Sequence, residues 1–182
     1  QVVTVRTDLY TADVDTTGGV ITRVALSQHR DAEDLNKPYL ALLRTPERTF
    51  VAQSGLIGDG MPNHRTVFEA QPGPRELAAG SDKVELRLTA TAPNGDKVVK
   101  VLTFHRGSYV IDTAFDVTNN GSAPITPEAY FQLMRDTKPG APSHSSMAPA
   151  AYVGPVIYND KDKFKKVDFK EIDKEAEDPT RK

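Results

Sequence analysis

Lys83-Val84-Glu85-Leu86-Arg87-Leu88-Thr89-Ala90 decides the fold class, because apolar side chains fill its even positions and polar ones its odd positions. One face of such a segment packs on a core and the other meets water, which is a β-strand. Pro93-Asn94-Gly95-Asp96 follows, and Asn-Gly tolerates the positive φ angles of a tight hairpin. Val98 to Phe104 is the returning strand. Arg106-Gly107-Ser108 breaks it, after which Tyr109, Ile111, Thr113, Phe115 and Val117 face one way while Asp112, Asp116 and Thr118 face the other. Asn119-Asn120-Gly121-Ser122 is the next turn. Ile125 to Leu133 is then a fourth strand, with Pro124 and Pro127 confining its first part to a sheet edge or a bulge. Four consecutive antiparallel segments predict a meander.

Working outward, Val2 to Thr7, Tyr10 to Val14 and Val20 to Leu26 are short strands, with Gly18-Gly19 as the turn before the third. Residues 29 to 80 are richer in turn formers and predict short strands near Thr49 to Gln53 and Thr66 to Glu69 on long loops. Residues 138–155 turn to Pro, Gly, Ser and Ala, a loop that packs little apolar surface. Residues 161–182 are dense in Lys, Asp and Glu and read as a solvated charged helix or tail. The expectation is an all-β protein in which 1–182 form one domain.

The chain has 182 residues, enough to bury a continuous core. Its 23 basic residues against 25 acidic ones argue against a nucleic-acid surface, which needs a basic excess to neutralise phosphates. The absence of cysteine removes disulfides, thiolate nucleophiles and Cys-containing zinc sites. The longest apolar run, Tyr39-Leu40-Ala41-Leu42-Leu43, is far short of a membrane span, so this segment is expected to be soluble.

Chemistry-bearing residues are sparse. His29, His64, His105 and His144 are scattered, there is no His-Glu-x-x-His pattern, and Gly58-Asp59-Gly60 lacks the spaced ligands of a calcium loop, so neither a metal nor a cofactor is expected. His144 sits in Ser143-His144-Ser145-Ser146, but adjacent residues on one loop rarely supply nucleophile, base and orienting group together. Asn120-Gly121-Ser122 fits a glycosylation sequon, and a hairpin turn explains the same residues more simply.

The order of several segments is more specific than any one of them. Thr7-Asp8-Leu9-Tyr10, Thr17-Gly18-Gly19, Tyr39 to Leu43, Gln53-Ser54-Gly55-Leu56, Phe104-His105-Arg106-Gly107-Ser108-Tyr109 and Val117-Thr118-Asn119-Asn120 succeed one another along the chain. Phe131-Gln132-Leu133, Ala150-Ala151-Tyr152 and Lys163-Phe164-Lys165-Lys166-Val167 continue the series. Together they resemble the large periplasmic domain of the YidC membrane protein insertases of Gram-negative bacteria. The resemblance implies a β-supersandwich of two antiparallel sheets, galactose mutarotase-like, with few short helices. It also implies a place on the periplasmic side of the inner membrane, between the first two spans of a multi-pass parent whose membrane bundle carries the insertase activity. Ending at Thr180-Arg181-Lys182, the chain looks truncated at its C-terminus relative to that family.

The leading functional expectation is a non-catalytic domain of an insertase and chaperone, contacting the Sec accessory complex SecDF through its later part, Gln132 to Glu177, with membrane protein substrates reached through the parent. Within that stretch Tyr152, Lys163, Phe164 and Lys165 stand out as aromatic and cationic groups able to anchor a partner. The alternative is a carbohydrate-binding or mutarotase-like domain, for which His105, His144 and Glu128 are the available acid and base candidates. A third reading is a holdase that adds an extended client to a sheet edge, a mode that Pro124 and Pro127 would oppose.

Overall fold

A computed structural model describes residues 1–138, 152–161 and 163–176. They fall into two compact units, Gln1–Arg135 and Asp136–Lys182. In the first, β1 (Val2–Arg6), β2 (Tyr10–Asp15), β3 (Val20–Arg30), β4 (Pro38–Arg44), β5 (Thr49–Ile57) and β10 (Glu128–Arg135) form a six-stranded antiparallel sheet in the order β1-β2-β3-β4-β5-β10. A four-stranded sheet runs β6 (Glu69–Ala70), β7 (Lys83–Thr91), β8 (Lys97–His105) and β9 (Ile111–Thr118). The all-β fold expected from the alternation is the fold observed.

The even positions of β7 explain why the sheets stack. Val84, Leu86, Leu88 and Ala90 are buried and join Leu102 and Phe104 of β8 with Val5, Tyr10, Ala12, Val14, Ile21 and Val24 of the larger sheet in one cluster. Each fully buried side chain of this size contributes about 1.5–3 kcal/mol relative to exposure, which makes this layer the main stabilising term of the unit. In β9 the half-buried Ile111, Thr113, Phe115 and Val117 alternate with the exposed Asp112, Ala114, Asp116 and Thr118. Asn94-Gly95 makes the β7–β8 turn with Gly95 at φ +89°, and the fully buried Asp96 accepts from Asn94 Nδ2 (2.8 Å) and from the Asn120 backbone N–H (2.8 Å).

The expected four-strand meander is corrected: it closes after three long strands, β7-β8-β9. β10 leaves that sheet and pairs with β5 over eight residues, from Glu128↔Ile57 to Arg135↔Phe50. At Tyr130↔Gly55 the two strands need a glycine, since a Cβ on Gly55 would lie 2.6 Å from the Tyr130 hydroxyl. Pro124 and Pro127 therefore lie in the crossover and not in the strand. The Asn119–Ser122 turn belongs to that crossover as well, not to a hairpin, and the Asn120 side-chain amide donates to the Gly95 carbonyl (2.9 Å). Tyr39 to Leu43 lies within β4, and β5 continues past Gln53 to Ile57. The expected strand at Thr66 to Glu69 shrinks to a Thr17↔Val67 bridge and the two-residue β6.

In the second unit, β11 (Val156–Asn159) and β12 (Lys163–Lys166) form an antiparallel hairpin, and α1 spans Phe169–Ala176. Asp168 immediately before the helix and Glu171 three residues later match a capping box, and Glu171 in the first turn with Lys174 in the last complements the helix dipole. The stretch 161–182, expected as a charged helix or tail, is a strand followed by a short helix over its described part. Residues 139–151 of the expected 138–155 loop, His144 among them, lie outside the described residues.

Candidate functional site

A cleft of about 370 Å³ lies between the two sheets. Ile21, Leu42, Leu102, Ile111, Phe131 and Leu133 give it apolar walls, and Gln53, Ser54, Thr113, Tyr109 and Gln132 supply uncharged polar groups. It sits where β10 and β9 are the outer strands of their sheets, so Phe131 and Leu133 remain 62% and 67% exposed. Gln132 Nε2 donates to Gln53 Oε1 (2.6 Å), tying the β10 rim to β5.

One charge lies behind this neutral surface. Lys100 occupies an inward position of β8, in register with Leu88 of β7 and Phe115 of β9, and is fully buried. Its Nζ donates to the carbonyls of Gly18 (2.9 Å), Gly19 (2.9 Å) and Ser54 (3.2 Å) and stands 5.8 Å from the centre of the Phe115 ring. Burial pulls its ammonium down from the ordinary lysine value to about 7. The site needs Gly19, at φ +56°, because a Cβ there would meet the Leu88 methyl at 2.8 Å and the Lys100 stem at 3.0 Å. Sequence reasoning passed over Lys100. Its signal was the inward set Val98, Lys100, Leu102 and Phe104, in which one position of a buried face carries a charge.

The described histidines serve local structure. His64 receives Tyr130 of β10: its Nδ1 is 2.5 Å from the phenolic oxygen, and its backbone N–H donates to the same oxygen (3.0 Å), which pins the Gly58–Phe68 connection against β10. His105 Nε2 pairs with Asp112 Oδ2 (2.7 Å) on exposed positions of β8 and β9, and His29 lies against the Tyr109 ring with centroids 6.1 Å apart. Glu128 is exposed on β10. Of the three residues nominated for proton transfer on a sugar, neither His105 nor Glu128 lines the cleft, and His144 lies outside the described residues.

The four nominated docking residues divide. Tyr152 closes the base of the hairpin: its hydroxyl donates to the Val167 carbonyl (2.6 Å), and the Lys166 ammonium stands 4.9 Å over its ring. Partial desolvation and the nearby Asp168 raise its phenol above the usual tyrosine value. Gly154 makes room for it, since a Cβ there would lie 2.4 Å from the hydroxyl. In the hairpin, Tyr158↔Phe164 and Val156↔Lys166 are cross-strand partners on one face, and Ile157↔Lys165 and Asn159↔Lys163 are partners on the other. Phe164 therefore stands with Tyr158 while Lys163 and Lys165 point to the opposite side. Lys163 begins the returning strand at φ +56°, the left-handed region. Both strands are exposed throughout, Tyr158 at 69% and Phe164 at 61%. Tyr158 was missed, although its Tyr-Asn-Asp context before a lysine-rich strand carried the same aromatic and basic signal as Phe164.

The two-sheet β-sandwich of the first unit, with its uncharged cleft, and the exposed aromatic-basic hairpin of the second define an all-β protein. The chain matches the sequence model described as the YidC periplasmic domain over residues 2–182, and it belongs to that family. It is 46% identical over 172 residues to a "Membrane protein insertase YidC" of Nitrosospira multiformis, covering 94% of this chain and 30% of that protein. Proteins of the same name from Cupriavidus metallidurans (45% identical over 172 residues, 94% and 30% covered) and Nitrosomonas europaea (43% identical over 174 residues, 94% and 28% covered) are also similar to this chain. The chain thus spans under a third of the length of these curated relatives. Its family places it on the periplasmic side of the bacterial inner membrane. Among the described residues no helix is long and apolar enough to cross a membrane.

Proposed function

We propose that this chain is a non-catalytic docking module of a membrane protein insertase and chaperone, and that it holds the insertase against the Sec accessory complex SecDF while membrane protein substrates are handled by the rest of the parent. The observation that carries the proposal is the β11–β12 hairpin. Val156, Tyr158 and Phe164 present exposed apolar surface on the face they share with Lys166, two of the four register pairs, and Lys163 and Lys165 lie on the other face with Ile157. Aromatic side chains of this kind bury large area at low entropic cost, and such residues dominate contact energies at protein interfaces. An isolated two-stranded hairpin is marginal in water, so a partner that covers one face gains both the buried area and the ordering of the hairpin. The mutarotase-like alternative lacks an acid–base pair among the residues that line the cleft, which are apolar or uncharged.

The test is co-purification of SecDF from detergent-solubilised membranes by the 182-residue chain and by a chain ending at Arg135, the last residue of the sandwich unit. The docking role predicts capture by the first and its loss in the second with an unchanged thermal transition of the sandwich. Equal capture by both would remove the hairpin from the interface, and no capture by either would overturn the docking role.

A further inference from the structure

We propose that Lys100 is a proton-operated clamp between the sheets: its ammonium ties the Gly18-Gly19 turn to Ser54 of β5, and loss of one proton frees one of these three carbonyls and loosens the floor of the cleft. The inference is independent of the docking role. An ammonium carries three N–H donors and a neutral amine two, and three backbone carbonyls lie within 2.9, 2.9 and 3.2 Å of Nζ. The charged form satisfies all three with charge-assisted bonds, and the neutral form satisfies two with weaker ones. Ser54, at the longest distance, is the acceptor the amine gives up.

The surroundings leave this proton to Lys100 alone. The side chains beside it in register are Leu88 of β7 and Phe115 of β9, and across the sandwich it meets the backbone of Gly18, Gly19 and Ser54, so every facing group is uncharged. The titratable side chains tied to the cage are His64, whose backbone carbonyl backs Gly18, and Tyr130, whose hydroxyl backs Gly55. Both act through backbone, not on Nζ. Burial without an anionic partner brings the loss of the proton to about pH 7. Because Gly19 and Ser54 also line the cleft, the charge state beneath the floor is transmitted to the surface that a ligand or client would meet.

The experiment is an NMR titration of the whole chain from pH 5.5 to 10, following Lys100 Nζ and Cε together with the carbonyl carbons of Gly18, Gly19 and Ser54, with the exposed Lys83 as internal reference. The clamp predicts a Lys100 midpoint at least two pH units below that of Lys83. It also predicts carbonyl shifts that share the Lys100 midpoint and are largest at Ser54. His64→Gln removes the imidazole titration and leaves that midpoint in place. Titration of Lys100 alongside Lys83, or carbonyl shifts that vanish in His64→Gln, would overturn the proposal.

Discussion

The β7–β8 and β11–β12 hairpins are both antiparallel ribbons, and they have opposite fates. β7–β8 runs for nine register pairs and buries Val84, Leu86, Leu88 and Ala90 on one face under the larger sheet. β11–β12 runs for four pairs and buries neither face. The difference lies in what covers the ribbon: apolar side chains under a second layer become stability, and apolar side chains without one remain available for a partner. Mutations that carry the same chemistry should therefore read out as unfolding in one hairpin and as lost association in the other.

The largest effect is expected in the covered hairpin. Phe104→Ala removes a fully buried ring that packs at 6.4 Å from the Tyr10 ring, and it should cost about 3–5 kcal/mol in a urea unfolding experiment. A loss below about 1 kcal/mol would mean that the sandwich core is not the source of stability.

The next effect separates the apolar and charged parts of that core. Lys100 is held near 7 in the folded chain and returns to about 10.4 on unfolding. Between these values the unfolded chain binds more protons, so stability should rise with pH by on the order of 1 kcal/mol per unit. Tyr10 acts oppositely. Burial, reinforced by Asp8, pushes its phenol up to about 12, so above about pH 10 the folded chain binds more protons and stability should fall. The difference curve between the wild type and Lys100→Met should isolate the rise, and Tyr10→Phe should soften the fall. A Lys100→Met profile parallel to the wild type from pH 7 to 10 would refute the assignment.

A smaller structural effect is expected at the histidines. His64→Ala removes the imidazole facing Tyr130 and should lower stability by about 1 kcal/mol. Alanine at His29 or His105 should change stability by less than about 0.5 kcal/mol. In the full-length insertase these three changes and His144→Ala should leave insertion of a model substrate intact. Lost insertion with a folded domain would reveal chemistry at that histidine.

The sequence announces the covered hairpin plainly because its alternation is local: each residue from Val84 to Ala90 reports the face it occupies. β4 was obscured by the opposite property, since Tyr39 to Leu43 is a continuous apolar run with no period. The departure of β10 from the meander is not written in β10 at all. It is visible only in the pairing with β5, where Gly55, 75 residues earlier, leaves room for Tyr130. Lys100 was legible as a charge in an inward register, but its meaning required the three carbonyls that come from distant parts of the chain. In the exposed hairpin, lysine density suggested a solvated tail, and only the pairing of Tyr158 with Phe164 shows that its aromatic residues gather on one face while Lys163 and Lys165 take the other.

The most direct test of the contrast is the affinity of the chain for SecDF with Tyr158 and Phe164 both changed to alanine. Because neither ring is buried, the free energy of unfolding should hold within about 0.5 kcal/mol, while the affinity should fall by at least about tenfold, or about 1.4 kcal/mol. Undiminished binding by the folded double variant would contradict the account.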